Sequence, residues 1–201
     1  PFAMYHVDPD HKEREFLILD ELTAMTEIKL EDPNMAFARD LFVFGCWTGI
    51  SFIDTKNLTE DKISMINGAP WIVSKRQKTG VPFQVKLMDI PMRIVERYKP
   101  LRKDCHLFNI GRLDTINKRI KKVAAMCGIK KRISYHVSRH TFAVLSLEYG
   151  MPIETVSKIL GHTNITTTQI YAKVTSSKLE HDISVFESRI KGHLPTMGGM
   201  A

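Results

Sequence analysis

The segment between Asp32-Pro33 and Gly49 constrains the fold more than any other part of this sequence. Met35, Phe37, Ala38, Leu41, Phe42 and Phe44 fall on every side of the helix it would form, not along one stripe. Aspartate followed by proline is a strong helix start. The aspartate accepts from the free N–H groups of the first turn, and proline has no N–H to satisfy. Gly49 supplies a stop. A helix that is apolar all round belongs at the centre of a core, so the remaining elements must wrap it.

Those elements are mostly helical. The β-prone runs 71–75 and 81–87 flank Gln77-Lys78-Thr79-Gly80 and read as a hairpin with Lys78 at its tip. Residues 57–61 read as a turn leading to a short element. Pro91 is expected to open a helix through Ile94, Val95 and Tyr98 that stops at Pro100. Asp114 reads as the cap of a basic helix over residues 117–123, ending near Gly128. Further helices are expected over 137–149, from Pro152 to Leu160-Gly161, and over 179–190, with a Thr-rich segment leading to Tyr171. The expected fold class is mainly α with a small antiparallel β-sheet. Residues 1–20 read as a linker, 21–192 as the domain and 193–201 as a flexible tail.

The chain has 201 residues, with 29 Lys and Arg against 22 Asp and Glu, a net charge of +7. That balance suits a polyanionic partner. The longest apolar run, residues 41–47, falls far short of the roughly 20 residues a membrane helix needs. The N-terminal stretch, rich in His, Asp, Lys and Glu, does not read as a signal peptide. Cys46, Cys105 and Cys127 are odd in number and widely spaced, so they read as buried reduced thiols in a cytoplasmic protein. No Cys/His spacing matches a zinc site, and neither a metal nor a cofactor is expected.

The chemistry concentrates between residues 136 and 171. His136 and Arg139 stand at i, i+3 at a helix start and can face one point. A helix N-terminus adds unpaired N–H groups and partial positive charge, and the arginine fork matches phosphate oxygens in pairs. His162 follows the helix-ending Gly161 and is presented from a turn. Tyr171 lies on a separate short segment. His140 reads as ordering or underlying the site. His6, His11, His106, His181 and His193 read as surface residues.

The pattern H-x-x-R-H at 136–140, L-G-H at 160–162 and T-T-x-x-Y at 167–171 resembles that of the tyrosine recombinases, the phage-type and conjugative-transposon integrases. The resemblance runs from about Glu15 to Ile190. It takes in Thr48-Gly49 and the Lys78-Thr79-Gly80 of the hairpin. It implies site-specific recombination, the integration or excision of a mobile element. Tyr171 would attack a DNA phosphate and form a 3′-phosphotyrosyl bond. Arg139 would hold the nonbridging oxygens, Lys78 would protonate the leaving 5′-oxygen, His136 would assist proton transfer and His162 would position the phosphate. Free tyrosine and lysine titrate at about 10 and 10.4, so lysine starts as an acid while the tyrosine must lose its proton. The covalent link conserves bond energy, and cationic side chains supply the charge stabilisation a metal gives elsewhere.

The resemblance also implies double-stranded DNA as partner, a homotetramer on two duplexes, accessory DNA-bending proteins and no membrane. The opening residues would be the linker from an upstream DNA-binding domain. Lys118, Arg119, Lys121, Lys122 and Arg76 are candidate DNA contacts. The final helix, with Leu179, Ile183, Phe186 and Ile190, reads either as a core helix or as one lent to a neighbouring protomer.

One position departs from the family pattern. The arginine expected two residues after Thr48-Gly49 is Ser51, although the acidic residue three positions on is kept as Asp54. Arg39, a charge in an otherwise apolar helix, is the first candidate to replace it, and Arg76 is the second. The competing reading pairs Arg39 with Asp40 or Asp54. If Arg39 serves catalysis, Arg39→Ala or Arg39→Lys abolishes cleavage. Two alternatives stand beside recombination: a type IB topoisomerase-like nicking-closing enzyme, and a catalytically inactive DNA-binding accessory protein.

Overall fold

The computed structural model describes residues 15–172 and 176–191. The helices run in the order α1 (Leu19–Glu27), α2 (Pro33–Thr48), α3 (Phe52–Lys56), α4 (Asp89–Tyr98), α5 (Leu113–Met126), α6 (Tyr135–Glu148), α7 (Ile153–Leu160), α8 (Thr166–Gln169) and α9 (Ser176–Ile190). Between α3 and α4 lie β1 (Ile63–Ile66), β2 (Ala69–Lys75) and β3 (Pro82–Lys86), an antiparallel sheet in the order β1-β2-β3. The structure is thus mainly α with one small antiparallel sheet, as the sequence indicates.

Helix α2 is the axis of the core. Asp32 caps it by accepting from the Asn34 N–H (2.8 Å), and Gly49 closes it in the left-handed region at φ 66. A side chain at Gly49 would also strike the Phe142 ring at 2.6 Å. Leu41, Phe42 and Phe44 have no exposed surface, and α1, α4, α5 and α6 all pack against this helix. Burying each such side chain contributes about 1.5–3 kcal/mol. The second half of α6 and helix α7 build a smaller cluster from Phe142, Ala143, Leu147, Val156 and Leu160, against which Tyr171 packs. Helix α7 also rests on β3, which brings the sheet to the same end of the molecule.

Several sequence expectations need correction. Helix α1 is additional, and so is β1. Leu17 is fully buried and its N–H donates to Thr141 Oγ1 (2.9 Å), so packing begins before residue 21 rather than after a linker ending at residue 20. Residues 1–14 and 193–201, most of the expected linker and the tail, lie outside the described residues. Pro91 sits inside the first turn of α4 rather than opening it. Helix α5 starts at Leu113, which puts Asp114 in its first turn and not at its cap. Cys46 is buried, but Cys105 is exposed and Cys127 partly so. In α9, Ile183 and Phe186 are exposed, so this helix is not packed as a core helix within the chain; the Leu179 side chain lies outside the described residues.

Candidate active site

The site is assembled around the buried carboxylate of Asp54. Ser51 caps α3, accepting weakly from the Asp54 N–H (3.4 Å) and donating its own hydroxyl to Asp54 Oδ2 (2.6 Å). Asp54 also accepts from the Gln77 N–H (2.8 Å) and from Arg76 Nη1 (2.9 Å). Arg76 follows the last residue of β2 and its side chain turns inward, only 5% exposed, with the guanidinium carbon 4.1 Å from the centre of the Phe83 ring. Its Nη2 donates to the Ile159 carbonyl (3.1 Å). Its Nε is buried and has no hydrogen-bond partner among the described residues.

Arg139 reaches the same place from α6. It donates through Nη1 to the Gly49 carbonyl (2.8 Å) and through Nη2 to the Leu160 carbonyl (2.7 Å). Two guanidinium groups therefore sit on successive carbonyls, 159 and 160, at the end of α7. Carbonyls there lack partners within the helix and carry the negative end of its dipole. Gly161 then turns the chain at φ 60, and a Cβ at that position would lie 2.8 Å from Arg76 Nε. Glycine is needed there both for its backbone freedom and to leave room for the arginine. Burial, and next the charge of Arg76, pulls the Arg139 guanidinium down to about 9, so it stays charged at neutral pH. Burial likewise lowers Arg76, against the opposing pull of Asp54. Two charged arginines thus meet at the end of α7, a pairing of like charges that an anion would relieve.

His162 follows Gly161, and its Nδ1 lies 2.8 Å from Thr168 Oγ1. Burial, then Arg139 and Arg76, pushes its imidazole down to about 4, so it is neutral at ordinary pH. Tyr171 is partly buried just past α8, with its hydroxyl 2.5 Å from His140 Nδ1. A charged phenolate at Tyr171 would favour the charged form of Arg139. His136 is exposed in the first turn of α6, its ring edge-on to His140 at 4.3 Å. The structure thus brings together Arg139, His136, His162 and Tyr171. Lys78 stays at the exposed tip of the β2–β3 connection, apart from them. Lys118, Lys121 and Lys122 lie on the exposed side of α5, with Arg119 partly covered. The neighbouring Asn117 side chain accepts from the Tyr135 N–H (2.7 Å) and fixes the start of α6. Of the histidines read as surface residues, His106 is partly buried, with its Nδ1 2.9 Å from Asp104; the other four side chains lie outside the described residues. Asp104, Cys105 and His106 are consecutive, largely exposed residues, and among the described residues theirs is the cluster with metal-ligand spacing.

Arg39 is the main correction. It is 7% exposed, bonded through Nε to Asp40 (2.6 Å) and through Nη1 to the carbonyls of Met25 (3.1 Å), Thr26 (2.8 Å) and Ile28 (3.0 Å). It closes the C-terminal end of α1, so it pairs with Asp40 instead of reaching a phosphate. Arg76, expected both as a DNA contact and as the second candidate for the missing arginine, is buried against Asp54, so the DNA-contact reading is corrected. A signal for it existed in the sequence. Ile72, Ser74 and Arg76 share one face of β2 by strand alternation, and Ile72 is core.

Residues 15–178 match the phage integrase family. The chain belongs to the phage integrase family. Among curated members it is 26% identical over 192 residues to the tyrosine recombinase XerD of Oceanobacillus iheyensis, covering 87% of this chain and 64% of that one. To XerC of Serratia marcescens it is 27% identical over 177 residues, covering 85% and 57%. The chain therefore spans about three fifths of the length of these relatives. A 60-residue stretch, 30% of this chain and 21% of the other, is 47% identical to a tyrosine recombinase of Pseudothermotoga lettingae. Among solved structures the fold matches the XerH site-specific recombinase bound to palindromic difH substrate (TM-score 0.72, 21% identity, 88% of this chain and 54% of that one). It also matches the catalytic domain of bacteriophage HP1 integrase (TM-score 0.62, 21% identity, 87% and 96%). This is the fold of phage integrase family catalytic domains.

Proposed function

We propose that this chain is the catalytic domain of a site-specific DNA recombinase that cuts and rejoins strands through a 3′-phosphotyrosyl link at Tyr171, in the integration or excision of a mobile element. The observation that carries this reading is the convergence of Arg76 and Arg139 on carbonyls 159 and 160, with the Tyr171 hydroxyl held by His140, the residue after Arg139 on α6. A phosphate on the two guanidiniums neutralises their charge and stabilises the extra charge of a pentavalent transition state. Tyr171 then attacks the phosphorus and gives up its phenol proton with His136 assisting, the P–O5′ bond breaks, and the leaving 5′-oxygen takes a proton from Lys78, carried in on the hairpin. Arg76 supplies the cation that Ser51 does not, because Asp54 draws it to that place. The nucleophile acts in cis, since Tyr171 lies against its own chain's His140. Lys118, Arg119, Lys121 and Lys122 contact the DNA backbone, and four copies assemble on two duplexes. DNA-complexed relatives support the choice of partner: a Tn1549 transposon integrase in complex with circular intermediate DNA shares the fold (TM-score 0.69, 17% identity, 88% of this chain and 67% of that one).

The test is adduct formation at low salt, where phosphate contacts are strongest. The chain is mixed with nicked suicide duplexes and run on a denaturing gel beside Tyr171→Phe. A covalent adduct lost in the phenylalanine variant supports the reading. DNA binding with no adduct, from a protein that includes its upstream segment, favours an inactive accessory protein. Relaxation of supercoiled DNA without strand exchange favours a nicking-closing enzyme.

A further inference from the structure

His140, read from the sequence only as ordering or underlying the site, contacts the reacting oxygen directly. Its Nδ1 lies 2.5 Å from the Tyr171 hydroxyl, with the two rings 5.3 Å apart and tilted by 44°. The imidazole is 6% exposed, and His136, one turn earlier on α6, packs edge-on against it at 4.3 Å and 78°. Tyr171 itself has a weak local frame. Helix α8 has four residues, and the Tyr171 N–H donates to the Thr168 carbonyl (3.0 Å) in a single closing turn. The apolar cluster of Phe142, Ala143, Leu147, Val156 and Leu160 supports the ring. Such packing supports the ring but supplies no hydrogen bond to its oxygen, because dispersion contacts are not directional.

We infer that His140 is the positioning residue of the nucleophile: its Nδ1 holds the Tyr171 hydroxyl in register with the arginine pair before DNA arrives. The inference rests on Tyr171 being the nucleophile. His140 follows Arg139 on the 14-residue helix α6, so the attacking oxygen and the guanidinium that grips the phosphate are referenced to one rigid rod. Either ring tautomer serves, since Nδ1 can accept from the phenol O–H or donate to its oxygen. Holding reacting atoms in near-attack geometry is worth about 100-fold in rate for a misplacement of about 1 Å.

The experiment compares His140→Asn, which keeps an amide atom where Nδ1 stood, with His140→Gln, which moves it to the place of Nε2, and with His140→Ala. Each variant is first checked for native circular dichroism and unchanged noncovalent DNA binding. On suicide duplexes, His140→Asn is expected to form adduct within about tenfold of wild type, and His140→Gln and His140→Ala about 100-fold more slowly. Equal rates for the Asn and Gln variants, or an Ala variant as fast as wild type, overturn the proposal. Histidine side-chain 15N spectra of the free protein test the contact without chemistry. Tyr171→Phe is expected to move the His140 Nδ1 resonance, and an unmoved resonance overturns the proposal while leaving the nucleophile assignment standing. A wild-type protein with no Tyr171-dependent adduct sinks that assignment and this inference with it.

Discussion

Two buried arginines in this protein have nearly the same surroundings on paper and different work. Arg39 and Arg76 are 7% and 5% exposed, and each is paired with a buried aspartate. Around Arg39, Nε and Nη1 are both engaged. Asp40 takes Nε, and three carbonyls at the end of α1 take Nη1. Asp40 is in turn closed by Arg97 (2.8 Å) and the Tyr98 hydroxyl (2.7 Å). Around Arg76, Nε has no partner among the described residues, and a second arginine stands at the adjacent carbonyl. A buried charge that is fully matched holds structure together. One that is under-matched and set beside a like charge is waiting for an anion.

The largest expected difference comes from removing each arginine. Arg76→Ala lowers the rate of adduct formation about 10²–10³-fold, the usual loss for one transition-state donor. Arg39→Ala leaves cleavage by the folded protein unchanged but costs about 1–3 kcal/mol of stability, because the α1 carbonyls lose their donor while Asp40 keeps Arg97 and Tyr98. Adduct kinetics at low temperature, read beside urea unfolding, separate the two. Equal kinetic losses would erase the comparison. Ser51→Arg in the Arg76→Ala background sharpens it, because it returns a guanidinium to the neighbourhood of Asp54. Adduct formation is expected to recover about tenfold or more over Arg76→Ala, and no recovery would show that the direction of approach matters as much as the charge.

A smaller effect is expected from Gly161→Ala, which strains a backbone at φ 60 and pushes a methyl against Arg76 Nε. It costs about 1 kcal/mol of stability and slows cleavage about tenfold as Arg76 is displaced. Gly128 is also in the left-handed region (φ 73) but has open space around it, so Gly128→Ala is the control that shows strain without the kinetic loss. The smallest effect is a pH slope. His162 takes its proton near pH 4 when folded and near 6.5 when unfolded. As pH falls through that window the unfolded chain binds the proton first, so stability falls, by about 1 kcal/mol or less once solvent screening of the half-buried ring is allowed for, and above pH 6.5 the group contributes no slope. His162→Gln is expected to flatten that part of the acid melting profile.

Much of this was legible in the sequence because the relevant signals are local. The apolar helix α2 and the hairpin follow from periodicity and turn residues, and the ordered set His136, Arg139, His162 and Tyr171 from a motif that resembles the tyrosine recombinases. The misreading of Arg39 has a physical origin. Its partners are backbone carbonyls of α1, an element whose Leu19–Glu27 sequence carries no strong start or stop, and carbonyls leave no mark in a sequence. Arg76 was obscured for the opposite reason. Its partners, Asp54 and Ile159, lie 22 and 83 residues away, and only the folded chain brings them together. The His140–Tyr171 contact spans 31 residues and depends on how α7 and α8 return the chain to α6.

Asp54 works as a socket. It receives a guanidinium from the end of β2, while Ser51, the residue at the family's own arginine position, merely hydrogen-bonds the same carboxylate. A catalytic charge anchored in this way has an address in space and none in the chain. A scan that asks which residue occupies the fourth column of a motif would mark this protein as disarmed. Asking which guanidinium the carboxylate has recruited gives the other answer.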